Sequence, residues 1–336
     1  MTTKPIVECV PNFSEGRDMD TINAIAESIS AVRGVKLLSV EPDKDYNRCV
    51  VTFVGEPQPV KEAAFRATKT AARLIDMHRH TGEHPRMGAT DVVPFVPVSG
   101  VTMADCVQLA NEFGSRVADE LGIPVYLYEE AARVPERNNL ANIRKGEYEG
   151  LPVKLKDPVW KPDFGKPVFN VKSGATVTGA RVFLIAYNVN LSTNDKNVAH
   201  EIALRIRESG RTVKDAQGNS AKIPGSLKSV KAMGVYLDRF NIAQVSINLT
   251  NFTIVPPHTA FEEVKKHAKI LNIDVTGSEV VGLIPKDALS LAGNFYYGDK
   301  AGQATEEQIL RKAIESLGLS QLEPFDLRKK VIEYMI

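Results

Sequence analysis

The sequence predicts an α/β (α+β) protein made of two ferredoxin-like βαββαβ subdomains whose sheets face a central ligand cleft. Three observations predict it. The chain has 336 residues, more than one hydrophobic core usually serves. Its apolar residues recur in an orderly alternation of strand and helix periods. The order found in the first half then returns in the second, as the split βαβ motif requires.

In the first half, Ile6 to Val10 is a short apolar strand and residues 12 to 16 form a turn. Met19, Ile22, Ala26, Ile29 and Val32 fall on one helical face that ends near Gly34. Val35 to Val40 and Arg48 to Val54 read as strands rich in β-formers, joined by the polar EPDKDYN. Val60, Ala64, Ala67, Ala71 and Leu74 mark a second helix, followed by a strand from Val92 to Val98. A helix from about Met103 to Leu121 and a strand at 124 to 128 complete this half. Residues 151 to 179 are rich in Pro, Lys, Asp and Gly and read as a connecting stretch, which divides the chain into subdomains 1–179 and 180–336.

The second half opens with a strand from Arg181 to Leu191. A helix follows through Val198, Ile202 and Ile206, with Gly210 able to cap it. Strands at 228–237 and 242–249, a helix from about Thr259 to Leu271 and a strand VVGLI at 280–284 repeat the order. A last helix, about 305 to 317, opens on a capping-box pair, Thr305 and Gln308, and stops at Gly318. In AYNVNL and QVSINL the apolar residues alternate with Asn188, Asn190, Gln244, Ser246 and Asn248. That polar face reads either as a solvated surface or as a wall offering amides to a polar ligand.

Composition narrows the function. Forty-two basic residues against forty-one acidic ones leave a net charge of +1, without the broad positive field that nucleic-acid binding requires. Cys9, Cys49 and Cys106 are odd in number and widely spaced, which argues against a disulfide scaffold or a zinc ribbon. No apolar run is long enough for a signal peptide or a bilayer crossing, so a cytoplasmic protein acting on small molecules is the expectation.

The chemistry concentrates in HRHTGEHPRMGATDVVPF, residues 78–95, which holds three of the six histidines. His80 and His84 are four apart, but Gly82 and Pro85 break any continuous helix, and no cysteine lies near; a metal is therefore not assigned. GxSxG, GxxxxGK[ST] and GxGxxG are all missing from a suitable context. Acid–base work remains, because an imidazole can take and return a proton near neutrality. His84 precedes a proline in a loop before a buried strand, with Glu83, Arg86 and Asp91 near enough in sequence to orient it. His78, His80, His200, His258 and His267 read as solvated or backbone-bonded. From the residues alone the reading stops at a two-lobed protein with a proton-transfer loop.

Longer stretches carry a resemblance. VECVPNFSEGR (7–17), RLIDMHRHTGEHPRMGATDVVPFVPV (73–98), PVYLYEEAAR (124–133), IRKGEYEGL (143–151), PDFGKPVF (162–169), GATVTGARVFLIAYNVNL (174–191), AQVSINLTNF (243–252), VVGLIPKDAL (280–289) and VIEYMI (331–336) together resemble the glutamate formiminotransferases. The resemblance implies two α/β subdomains holding folate, and transfer of a formimino group from N-formimino-L-glutamate to tetrahydrofolate as co-substrate, within histidine degradation. No metal is implied. The family's catalytic histidine matches His84. Its folate-binding stretch matches residues 165–174, namely Gly165, Lys166, Pro167, Val168, Phe169, Asn170, Val171, Lys172, Ser173 and Gly174, of which Gly165, Phe169 and Gly174 keep the family pattern.

Glu41 stands where the family usually has Asp, and a carboxylate there would face the cationic formamidinium group. Arg48 and Arg86 are the candidates for substrate carboxylates, since bidentate pairing favours Arg. Lys166 and Lys172 suit the acidic folate tail by charge. A homodimer is the implied assembly. The chain stops at Ile336, where the animal relatives continue into a cyclodeaminase, so a separate cyclodeaminase is the implied recipient of the product.

Overall fold

A computed structural model describes residues 4–214 and 219–336. The chain divides into two compact units, Met1–Val182 and Phe183–Ile336.

The first unit runs β1 (Ile6–Cys9), β2 (Asn12–Phe13), α1 (Met19–Ser30), β3 (Val35–Asp43), β4 (Arg48–Gly55), α2 (Pro57–Leu74), β5 (Thr90–Ser99), α3 (Met103–Leu121), β6 (Val125–Glu129), α4 (Leu140–Arg144), α5 (Glu147–Lys154) and β7 (Thr176–Ala180). Its antiparallel part has the order β3-β4-β1-β5, with β2 continuing in line from β1 between β4 and β5. β7 and then β6 extend the sheet in parallel beyond β5. One face packs Val7, Cys9, Phe13, Phe53 and Phe95 against Ile22, Ile25, Ile29, Val60 and Phe113. Period-2 alternation therefore turns Glu8, Asn12, Glu41, Arg48, Val50 and Thr52 to the opposite face.

The second unit has β8 (Ile185–Leu191), α6 (Lys196–Ile206), β9 (Arg211–Lys214), β10 (Ser220–Ile223), β11 (Val230–Leu237), β12 (Ile242–Leu249), α7 (Pro257–Ile270), β13 (Val275–Val281), α8 (Lys286–Tyr297) and α9 (Glu306–Leu317). Its four-stranded antiparallel sheet is ordered β11-β12-β8-β13, the same relative order as in the first unit. The ferredoxin-like expectation thus holds in each unit. Asn188, Asn190, Gln244 and Glu279 share the face away from the core and are joined to one another. Gln244 Nε2 donates to Asn190 Oδ1 at 2.7 Å, and Asn188 Nδ2 to Glu279 Oε1 at 2.9 Å. Asn190 and Gln244 are 0% and 1% exposed, so this is not an ordinary solvated face.

Several expected boundaries shift. The stretch 151–179, expected within the first subdomain as a connecting stretch, is structured: it holds the end of α5, a 3₁₀ turn at 158–160 and most of the strand β7. Gly179 is needed there, since a Cβ would lie 2.5 Å from the Tyr128 ring. The strand expected at 280–284 is instead Val275–Val281, and Gly282, at φ +77°, ends it. α8 was hidden by Gly293, which reads as a breaker but is a close contact: its Cβ would meet the Ile309 carbonyl of α9 at 2.1 Å. The hairpin β9–β10 was also not foreseen; residues 215–218 between its strands lie outside the described residues. The Thr305–Gln308 capping box forms as the spacing requires.

All three cysteines are buried and free. Burial pushes the thiols of Cys49 and Cys106 up to about 12, so they are protonated and poor nucleophiles. Among the described residues no helix is long and apolar enough to cross a membrane.

Arg137 and Asp163 lock the irregular segment after α5 to β6. Their side chains are 6% and 4% exposed and meet at 2.7 Å, while Asp163 Oδ2 also accepts the Leu127 N–H at 2.8 Å. Arg137 Nη2 donates to the Val159 and Lys161 carbonyls. Removing one partner leaves a buried charge uncompensated, so Asp163→Ala should lower unfolding free energy by about 3–5 kcal/mol in urea denaturation.

Candidate active site

The histidine loop is built by backbone docking. After α2 the chain turns extended at Ile75, and Asp76 Oδ1 accepts the His78 N–H at 3.1 Å. The loop then runs back along the β3–β4 turn. Asn47, in left-handed conformation at φ 47°, accepts the Gly16 N–H at 3.0 Å and donates to the Thr81 carbonyl at 2.8 Å. The His84 N–H bonds the Tyr46 carbonyl at 3.4 Å. Gly82 permits this approach, for a Cβ would sit 2.5 Å from that same Tyr46 oxygen.

Past Pro85 the chain is held from two further sides. Ala175 N–H donates to the Met87 carbonyl at 3.0 Å and Ala89 N–H to the Ser173 carbonyl at 2.9 Å. Ser14 Oγ donates to the Gly88 carbonyl at 2.8 Å. The position of residue 84 is thereby fixed by β2, the β3–β4 turn and residues 173–175.

The three histidines separate cleanly in this setting. His78 is exposed. His80 has both ring nitrogens occupied: Nε2 donates to the Asn47 carbonyl at 2.9 Å and Nδ1 accepts from Arg86 Nε at 3.2 Å. His84 is 8% exposed, and neither of its ring nitrogens is hydrogen-bonded to another described residue. Burial drives its pKa down to about 4; Asp91 opposes this, while Arg144, Arg48 and His80 add to it. At neutral pH His84 is an uncharged imidazole whose two nitrogens have no partner among the described residues.

Around it lie Asp91, 1% exposed, which accepts the Met87 N–H at 2.9 Å and pairs with Arg144, and Arg48 on β4. Arg48 Nη1 reaches Asn12 Oδ1 at 3.5 Å, and its Nε is buried without an acceptor. Glu41 shares the sheet face of Arg48, two register pairs along, opposite Val50.

Arg86 departs from the expectation of a substrate carboxylate ligand. All three of its guanidinium nitrogens are committed: Nη1 to Glu147 at 2.9 Å and Glu149 at 2.8 Å, Nη2 to Glu149 at 2.6 Å, and Nε to His80. It ties the loop to α5 along a shallow groove of about 430 Å³.

Residues 165–174 run from surface to loop. Lys166, Pro167 and Val168 are exposed. Phe169 packs on Tyr148 with ring centroids 5.2 Å apart, and Asn170 Oδ1 accepts the Ser173 N–H at 2.9 Å. Val171 accepts the Tyr148 hydroxyl at 2.5 Å. Lys172 Nζ is used by the Arg73 carbonyl at 2.7 Å, which occupies one of its three donors. The structure thus brings His84, Arg48 and residues 170–174 to one region of the first unit. Asn47, Asn12 and Arg144 were not singled out from sequence. An Asn in a turn before a strand was the available signal for Asn47; Arg144 had none. Among the described residues no cluster of three His, Cys, Asp or Glu could hold a metal ion.

A neutral imidazole flanked by a carboxylate and guanidinium groups, with no activated nucleophile beside it among the described residues, has the chemistry to take and return a proton, and it is set in a duplicated α+β fold. Comparison with known proteins places it. Residues 6–181 match the formiminotransferase domain, N-terminal subdomain, and residues 186–336 match the formiminotransferase domain. The chain is 41% identical to the glutamate formimidoyltransferase of Streptococcus pyogenes serotype M1, covering 98% of this chain and 97% of that one. It is 47% identical to the glutamate formimidoyltransferase of Thermoplasma acidophilum over 87% of this chain and 92% of that one. It is 51% identical to the formimidoyltransferase-cyclodeaminase of Dictyostelium discoideum, where it covers 98% of this chain but only 60% of the relative's length. The chain belongs to the formiminotransferase family.

Gly174 is the residue on which the junction of the loop and residues 165–174 turns. It has φ +67°, and a Cβ would lie 2.1 Å from the Met87 carbonyl. Gly174→Ala should cost about 1–3 kcal/mol of stability, read by urea denaturation, as the strain of a left-handed residue and the forced separation combine.

Proposed function

We propose that this chain is a glutamate formimidoyltransferase of histidine degradation. It transfers the formimino group from N-formimino-L-glutamate to tetrahydrofolate and releases L-glutamate and 5-formimino-tetrahydrofolate. The observation that carries the mechanism is the uncharged, buried imidazole of His84, neither of whose nitrogens is bonded to another described residue. The relatives matched nearly end to end, and named for this activity, support the reaction.

The chemistry requires one proton to move. Nitrogen 5 of the reduced pterin attacks the formimino carbon, forming a C–N bond and a tetrahedral centre. His84 takes the proton from that nitrogen, then gives it to the glutamate nitrogen as the old C–N bond breaks. An imidazolium held at so low a pKa is a strong donor to the leaving amine. Its weakness as a base is tolerable, because the attacking nitrogen is cationic and acidic once bonded.

Within this reading Glu41 faces the formamidinium charge and Arg48, with its unaccepted Nε–H, takes a substrate carboxylate. Residues 165–174 hold the folate, through backbone groups and the exposed Val168 and Val171, with Lys166 toward its acidic tail. The protein works in the cytoplasm as a homodimer and passes its product to a cyclodeaminase, in keeping with relatives that carry both names in one chain. A formyl donor differs from formimino by O for NH at one atom, and side-by-side donor kinetics separates the two.

Glutamate release from N-formimino-L-glutamate should appear only when tetrahydrofolate is added. His84→Ala should lower kcat by about 10²–10⁴-fold with folate binding kept. Release without tetrahydrofolate, or full turnover in the variant, contradicts the proposal.

A further inference from the structure

The loop that carries His84 has one side chain inside the fold acting on both its backbone and its charge. Asp91, at the start of β5, is 1% exposed. Its Oδ1 accepts the N–H of Met87, three residues beyond the histidine, at 2.9 Å, so it clamps the GEHPRMG turn from within. Its Oδ2 pairs with Arg144 at the end of α4, 53 positions along the chain. Arg144 has its Nε buried with no acceptor, so the pair with Asp91 is a principal anchor of that guanidinium.

We propose, resting on the function given above, that Asp91 is a positioning residue for His84. It fixes the loop through Met87 and, restrained by Arg144, supplies the buried anion that balances the imidazolium formed in mid-reaction. Burying an uncompensated cation is costly, and a carboxylate already in place offsets that cost without reorganisation. Arg144 limits the effect: it keeps the carboxylate from swinging onto the imidazole and holding its proton. The charged and titratable groups facing His84 are Asp91 from β5, Arg144 from α4, Arg48 from β4 and His80 from its own loop. Asp91 alone among them favours the protonated ring.

The sign of each effect separates positioning from mere scaffolding. Asp91→Asn keeps an oxygen for the Met87 N–H but removes the anion; Arg144→Gln removes the cation. In the full-length protein, Asp91→Asn should lower kcat for glutamate release by about tenfold or more while KM for N-formimino-L-glutamate changes less than about threefold. By NMR, the His84 ring should titrate lower than wild type in Asp91→Asn and higher in Arg144→Gln, and Asp91→Glu should recover part of the rate.

A structural role alone would release the loop in both variants and move His84 up toward an ordinary imidazole in each; that result overturns the proposal, as does wild-type kcat in Asp91→Asn. If Asp91→Asn fails to fold by circular dichroism, Arg144→Lys decides beside Arg144→Gln: it keeps the cation, so the charge balance predicts a His84 titration near wild type in Arg144→Lys and a raised one in Arg144→Gln, whereas a raised titration in both, or none in Arg144→Gln, overturns the proposal. An inactive wild type would refute the function. An active wild type with inactive His84→Ala and unaffected Asp91→Asn would refute only this inference.

Discussion

One constraint carries the site: the imidazole of residue 84 is 8% exposed and has no hydrogen-bond partner among the described residues. A ring so largely withdrawn from water loses the hydration that stabilises its charged form. Here the surrounding backbone holds it in place, through bonds from the His84 N–H to the Tyr46 carbonyl, from the Ala175 N–H to the Met87 carbonyl and from the Ala89 N–H to the Ser173 carbonyl. Burial keeps the ring uncharged, and lack of partners keeps both nitrogens available. The neighbouring His80, in the same loop, shows the alternative, with both nitrogens spent on Asn47 and Arg86.

The fold serves that constraint through long-range backbone contacts rather than a large rigid helix. Gly16, Gly82, Gly88 and Gly174 each lie where a Cβ would meet a backbone oxygen within 2.5 Å. They let four segments converge around the loop. A loop docked by main-chain bonds leaves side chains free, and Arg48 and Asp91 act on the imidazole through their charge. Arg86 and its two glutamates contribute a different thing, an anchor from the loop to α5.

Much of this was legible in the sequence where a single period dominates. α1, α2, α3 and α9 follow from apolar spacing and capping residues, and the duplicated order gave the ferredoxin-like arrangement of both sheets. β7 was not legible, because five residues among prolines and glycines give no period, and its strand character comes from pairing with β5 and β6. α8 was obscured by Gly293, whose purpose is visible only once Ile309 is beside it. At the site, spacing alone could not rank three histidines. Asp91 stands close enough in sequence to be named, but Asn47 and Arg144 reach the loop and its carboxylate across 33 and 53 positions of chain, which local pattern does not encode. The specific reaction came from family resemblance, and the protonation state from burial.

The most direct test of the central claim is the charge on the His84 ring itself. With histidines labelled in ¹⁵N, long-range ¹H–¹⁵N spectra of the full chain at pH 6 distinguish an imidazole from an imidazolium. A pKa near 4 predicts a neutral ring for His84 at that pH. A ring that is mostly protonated at pH 6 would contradict the account, because the buried, uncharged group on which it rests would not exist.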